Sequence, residues 1–223
     1  MIRLITSFIF KLFLTACLLS GCSQFNYLSP SYSSTYDLLI NRFTDKESII
    51  NKSLIDNIPY ASSLISFGNN NKSLIILESA KENKNTWISS DKIKIIESNG
   101  RVLRSIGLPN DLYSIQRPEL NFNMIIEEGK FSYIAYYSFR NPLLNSLKVE
   151  VQSIKVGKEV VEILGLKKEL ILIEENLYSP AINWSAKNKF WYDPATDFVW
   201  KSRQFLSPKL PFLDIEVTKK PAI

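Results

Sequence analysis

KIKIIESNGRVLRSIG, residues 92–107, holds the strongest turn signal in the chain: Asn99-Gly100 set between two runs that alternate apolar and polar side chains. A two-residue type I′ hairpin turn needs positive φ at both central positions, and Asn and Gly tolerate that best. The flanking period of two is that of strands with one buried face. The same pattern extends upstream, with strands predicted at 63–67, 73–79 and 86–89, then 92–97 and 101–107 in the hairpin itself. Asn69-Asn70-Asn71 reads as a looser turn between two of them.

Downstream, residues 108–121 lack a period and contain Pro109 and Pro118, so a long connection is expected there. Strands resume at Phe131, where Phe131, Tyr133, Ala135, Tyr137 and Phe139 share one face. Leu147, Val149 and Val151 then alternate, but Ile154 and Val156 fall on the opposite parity. One extra residue near Gln152-Ser153 would reconcile them, which predicts a β-bulge or strand break. Runs at 159–164, 168–175, 188–193, 197–206 and 212–218 follow. Leu170-Ile171-Leu172-Ile173 is apolar on both faces, the mark of a central strand covered on both sides.

Ahead of the strands the spacing is helical. Tyr36, Leu39, Ile40 and Phe43 fall on one face, and Thr44-Asp45-Lys46-Glu47 fits a capping box that opens a second helix. Ile50, Leu54 and Ile58 continue its apolar face until Pro59 ends it. Many short strands without βαβ alternation predict an all-β fold with short N-terminal helices: a large antiparallel meander sheet, curled or barrel-like.

The first 22 residues, MIRLITSFIFKLFLTACLLSGC, are built differently. Arg3 and Lys11 precede an apolar stretch from Leu12 to Leu19 that ends in small residues, the build of a secretory signal peptide. Lys11 breaks the run, so the segment is too short for a membrane span of about 20 apolar residues. Leu19-Ser20-Gly21-Cys22 resembles the bacterial lipobox, which predicts cleavage before Cys22 and acylation of its thiol. Several acyl chains, at roughly 0.8 kcal/mol per buried methylene, anchor a protein durably in a bilayer. By resemblance to other lipoproteins, Ser23 rather than Asp after the cysteine implies the outer membrane. The domain plan is a signal peptide at 1–21, a polar tether at 22–34 and a single β domain at 35–223.

This removes several chemistries. Of the two cysteines, Cys17 leaves with the signal peptide and Cys22 carries lipid, so no disulfide is expected. Without Arg3 and Lys11 the 27 basic residues fall to 25 against 22 acidic ones, a balance of +3. Lys167-Lys168, Lys187, Lys189 and Lys219-Lys220 are dispersed rather than gathered into a strip, so nucleic acid is not an expected partner. The chain contains no histidine, which excludes the usual Ser-His-Asp and Cys-His nucleophile systems and removes the commonest metal ligand. No cofactor or metal is expected.

Paired carboxylates remain as catalytic candidates, since glycosidases need only two. They are Glu127-Glu128, Glu174-Glu175, and Asp193 with Asp197. Neighbours on a strand point to opposite faces, which keeps the Glu pairs apart, and Asp193-Pro194-Ala195-Thr196-Asp197 reads as a hairpin turn. The aromatics Trp87, Trp184, Trp191, Tyr192 and Trp200, with Tyr133, Tyr136 and Tyr137, suit a glycan surface or, more simply, strands and core.

Several motifs resemble one family in order and spacing. They are Ile58-Pro59-Tyr60-Ala61-Ser62, Trp87-Ile88-Ser89-Ser90-Asp91, the stretch Asn99-Gly100-Arg101 through Leu108-Pro109, Phe190-Trp191-Tyr192-Asp193-Pro194-Ala195-Thr196, and Lys201-Ser202-Arg203-Gln204. Together they look like the YjbF/GfcB lipoproteins over most of 35–218. Asp197 departs from the pattern, where the family tends to have the glycine of a D-P-A-T-G turn. The resemblance implies an outer-membrane lipoprotein associated with exopolysaccharide or group 4 capsule, folded as a large antiparallel β structure. It implies a non-enzymatic role in polymer secretion or assembly, facing the periplasm. The implied partners are membrane lipid through Cys22, and other secretion proteins or the polymer itself. A carrier for an apolar ligand and a carboxylate-based polysaccharide-modifying enzyme remain alternatives.

Overall fold

The computed structural model describes Ile50 and residues 52–222. The signal peptide, Cys22, the tether, the helix over Tyr36–Phe43 and the capping box at Thr44 lie outside the described residues. Helix α1 (Lys52–Asp56) falls within the expected second helix and stops short of Pro59.

Twelve strands follow: β1 (Ser62–Phe67), β2 (Ser73–Lys81), β3 (Lys84–Ser89), β4 (Lys94–Ser98), β5 (Arg101–Ile106), β6 (Leu112–Gln116), β7 (Lys130–Phe139), β8 (Leu144–Ile163), β9 (Leu166–Ser179), β10 (Trp184–Asp193), β11 (Phe198–Gln204) and β12 (Leu213–Lys219). Helix α2 (Phe122–Glu128) sits between β6 and β7. All pair antiparallel in one sheet of order β5-β4-β3-β2-β1-β12-β11-β10-β9-β8-β7-β6. Each strand neighbours its successor in sequence except across the β1–β12 pair and the β5–β6 seam, where the sheet curls back on itself into a nearly closed barrel. The all-β reading of the alternation is therefore correct.

Side chains close that seam. Ser105 Oγ donates to Asp111 Oδ1 (2.9 Å) and accepts from the Leu112 N–H (2.9 Å), while the N–H groups of Gly107 and Leu108 donate to the same carboxylate at 3.0 Å. The interior is filled rather than hollow: Ile65, Phe67, Trp87, Tyr137, Phe139 and Leu213 are all buried in one continuous cluster. Asn99 and Gly100 have φ of 50° and 74°, as the type I′ turn requires. Leu170, Leu172 and Ile173 are all buried, Ile173 in a cluster with Phe190 and the two leucines in another with Trp191, so this strand is covered on both faces.

Three expectations need correction. The connection at 108–121 contains β6, a short strand at the seam that pairs with β7 and turns Leu112 inward. The bulge lies between Lys155 and Gly157, not near Gln152-Ser153. Ser153 continues the inward row of Leu147, Val149 and Val151 because its hydroxyl donates to the buried Glu175 (3.0 Å), and Val156 faces out, 55% exposed. Finally, Glu127 and Glu128 lie on α2 rather than on a strand. Asn121 caps that helix by accepting the Asn123 N–H (2.8 Å), Phe122 and Ile125 are its buried positions, and Gly129 ends it at φ 76°.

Candidate functional site

The hairpin turn Asn99-Gly100 reaches across the barrel instead of standing clear of it. Gln204 of β11 accepts from the Val102 N–H (3.0 Å) and donates to the Gly100 carbonyl (2.9 Å). Arg101 donates through Nε (3.2 Å) and Nη2 (2.6 Å) to Glu175 Oε1 on β9. Its guanidinium also lies 3.7 Å from the ring centre of Phe122 and 5.0 Å from that of Phe190. These contacts draw β5 onto the opposite wall. Burial pushes the Tyr133 and Tyr137 hydroxyls well above their ordinary range, and the nearby Glu175 charge adds to this in both.

On one side of that crossing the barrel mouth opens into a cavity of about 460 Å³, a size typical of small-ligand sites. The β2–β3 turn, the Asn99-Gly100 turn, Asp197 and Pro221-Ala222 border it. Its walls include Ser63, Trp87, Glu97 and Ser202. Glu97 follows Ile93 and Ile95 on the inward row of its hairpin and is 8% exposed. It accepts from Asn85 Nδ2 (2.7 Å) and Trp87 Nε1 (3.4 Å) at Oε1, and from the Gly100 N–H (2.7 Å) at Oε2. Burial outweighs these donors and raises its carboxyl above the usual value. Ser63 heads the inward row of Ile65 and Phe67; it is fully buried, and its Oγ has no hydrogen-bond partner among the described residues. Ser202 Oγ accepts from Gln204 Nε2 (2.8 Å).

Tyr192 and Asp197 border the cavity beside α2, where Asn123 of that helix meets the tyrosine. Tyr192 Oη lies 2.6 Å from Asp197 Oδ1 and 2.8 Å from Asn123 Oδ1. A phenol has one proton, and the carboxylate is the stronger acceptor. Burial, then the Asp197 hydrogen bond, raise the Tyr192 hydroxyl, so it serves as a neutral donor. Asp197 has φ 48°, which explains the departure from the family pattern: the turn needs a left-handed residue, and Asp accepts that conformation while adding the tie to Tyr192.

The structure keeps the sequence-derived carboxylate pairs apart in role. Glu174 faces out to Lys187 (2.7 Å) and Lys189 (3.2 Å), while Glu175 faces in to Arg101. Asp193 accepts from the Ala195 N–H (3.0 Å) and Thr196 Oγ1 (2.8 Å), so it builds its turn. Among the described residues no group of three His, Cys, Asp or Glu side chains is placed to hold a metal. The aromatics divide likewise. Trp87 and Tyr192 reach the cavity, Trp184 packs edge-on against Tyr137, and Tyr136 faces out, 43% exposed. Trp191 donates to Glu159 (2.7 Å) and shares a buried cluster with Leu170 and Leu172. Sequence reasoning missed Ser63, Glu97 and Ser202. The available signal was polarity on an otherwise apolar inward row, as at Glu97 after Ile93 and Ile95.

No helix among the described residues is long and apolar enough to cross a membrane. In comparisons with known proteins, the profile of the family described as "Group 4 capsule polysaccharide lipoprotein gfcB, YjbF" matches residues 35–218. The "Uncharacterized lipoprotein GfcB" of Escherichia coli (strain K12) is 25% identical over 219 residues, covering 96% of each chain. The crystal structure of the hypothetical lipoprotein YmcC from Escherichia coli (K12) superposes with a TM-score of 0.65 at 19% identity, covering 79% of this chain and 92% of that one. At that identity the likeness concerns the fold alone.

Proposed function

Since the chain belongs to the YjbF family of group 4 capsule polysaccharide lipoproteins, we propose that it is a non-enzymatic accessory lipoprotein of capsule or exopolysaccharide secretion and assembly. In this reading residues 1–21 direct export and are removed, Cys22 is acylated and holds the protein in the outer membrane, and a single domain over 35–223 faces the periplasm. The family match over 35–218 carries the reading, because it spans all of the sheet but Lys219 and all of the cavity border but Pro221 and Ala222. Support for an accessory role comes from the carboxylates, since Glu175, Asp193 and Asp197 are each engaged in contacts that hold the fold. The side chains that fill the interior weigh against a carrier for an apolar ligand.

The test is deletion of the gene in a polymer-producing strain, followed by measurement of surface polysaccharide and its location. The expected result is a loss of surface polymer that the wild-type gene restores and Cys22→Ala does not. Unchanged amount and location after deletion would refute the reading.

A further inference from the structure

The cavity holds more polar chemistry than the fold requires. Ser63 Oγ is buried without a partner at a position where the row would equally accept alanine. An unsatisfied buried hydroxyl costs the fold free energy. Glu97 is a buried carboxyl with no ion pair among the described residues; it accepts three hydrogen bonds and retains lone-pair capacity. Ser202 Oγ accepts one bond from Gln204 and carries a proton of its own. Trp87, Tyr192 and Phe198 supply apolar ring surface around these groups.

We infer that the barrel-mouth cavity binds a neutral sugar unit of a polysaccharide, held through Ser63, Glu97 and Ser202 against the aromatic walls. A sugar hydroxyl both donates and accepts, so one ring can accept from Ser63 and donate to Glu97. An acyl chain would leave the Ser63 hydroxyl without a partner and offer nothing to the remaining lone pairs of Glu97. A phosphate or other anion would meet Glu97 and Asp197; of the bordering lysines, Lys201 is committed to Glu216 (2.6 Å), while Lys81 and Lys84 stand exposed on the β2–β3 turn with Glu82 beside them. The volume of about 460 Å³ admits a ligand of about one or two rings. The site rests on the proposed function only for the source of the sugar.

Isothermal titration of the purified full chain tests this. The probe is a set of oligosaccharides released by partial acid hydrolysis from the surface polymer of a strain that carries the gene, with oleate and inorganic phosphate as comparisons. Saturable binding of the oligosaccharides is expected, with neither comparison competing. Ser63→Ala is expected to weaken it about 3–10-fold, the loss of one neutral hydrogen bond, while raising Tm because the orphaned hydroxyl is gone. Glu97→Gln is expected to weaken it at least as much. No saturable binding, binding that both variants leave unchanged, or competition by oleate or phosphate would overturn the assignment. Binding without any effect of gene deletion on surface polymer sinks the secretion role and leaves the site standing. Lost polymer without binding does the reverse.

Discussion

Replacing Arg101 with methionine isolates what holds β5 against the far wall. Glu175 Oε1 receives three donors, Arg101 Nε at 3.2 Å, Arg101 Nη2 at 2.6 Å and Ser153 Oγ at 3.0 Å, and both ionic side chains are about 5% exposed. Methionine keeps apolar contact with Phe122 and Phe190 but leaves the carboxylate buried with Ser153 as its remaining donor. Breaking a buried pair from one side costs about 3–5 kcal/mol, because the surviving charge is neither solvated nor paired. For a domain of this size that is a fall in Tm of roughly 6–20 °C. Urea denaturation followed by tryptophan fluorescence measures it. Arg101→Met with Glu175→Leu removes both charges and is expected to recover most of the loss, to within about 2 kcal/mol of wild type. A single-variant cost below about 1 kcal/mol, or a double variant as unstable as the single, would refute the reasoning.

Three further outcomes are expected. Gly100→Ala combines a left-handed φ of 74° with a Cβ about 2.7 Å from Val199 Cγ1 and Cγ2, and is expected to cost about 2–4 kcal/mol in the same denaturation assay, part of it restored by Val199→Ala. Burial alone would raise the Glu216 carboxyl, but hydrogen bonds from Lys201 and Lys72 outweigh it and hold the group below its ordinary 4.5. A depressed carboxyl stabilises above its unfolded value and loses that contribution as pH falls through the folded value. Glu216→Gln is therefore expected to cost about 1–3 kcal/mol at pH 7, with the gap closing below about pH 4.5 in melts run across pH. Cys22→Ser is expected to abolish labelling by radioactive palmitate and to move the protein out of the membrane fraction; retained label would refute acylation there.

The strands were legible because their signal is local. Alternation along Phe131–Phe139 and around Asn99-Gly100 needs only the pleat and the turn to be read, and the structure repeats both. Helix α2 was legible in principle: Asn121, then Phe122, Ile125 and Ile126, then Gly129 form a complete capped turn, but seven residues are too few for periodicity to stand out. The bulge was misplaced because Ser153 breaks the apolar row, and only Glu175, a strand away, explains a hydroxyl on the inside.

The cavity was not legible. Ser63, Glu97 and Ser202 come from three strands remote in sequence, and a polar residue on one inward row does not reveal which others it will meet. The period of two, the turns and hence an antiparallel all-β chain follow from local sequence alone, since these depend on backbone sterics and on which side chains avoid water. How far that sheet curls was decided only in three dimensions. There the Arg101–Glu175 pair, the Gln204 bridge and the close approach of Gly100 to Val199 bring β5 onto the opposite wall and leave the mouth open beside it. Such contacts depend on the summed twist of the whole sheet, and no local window of sequence contains that quantity.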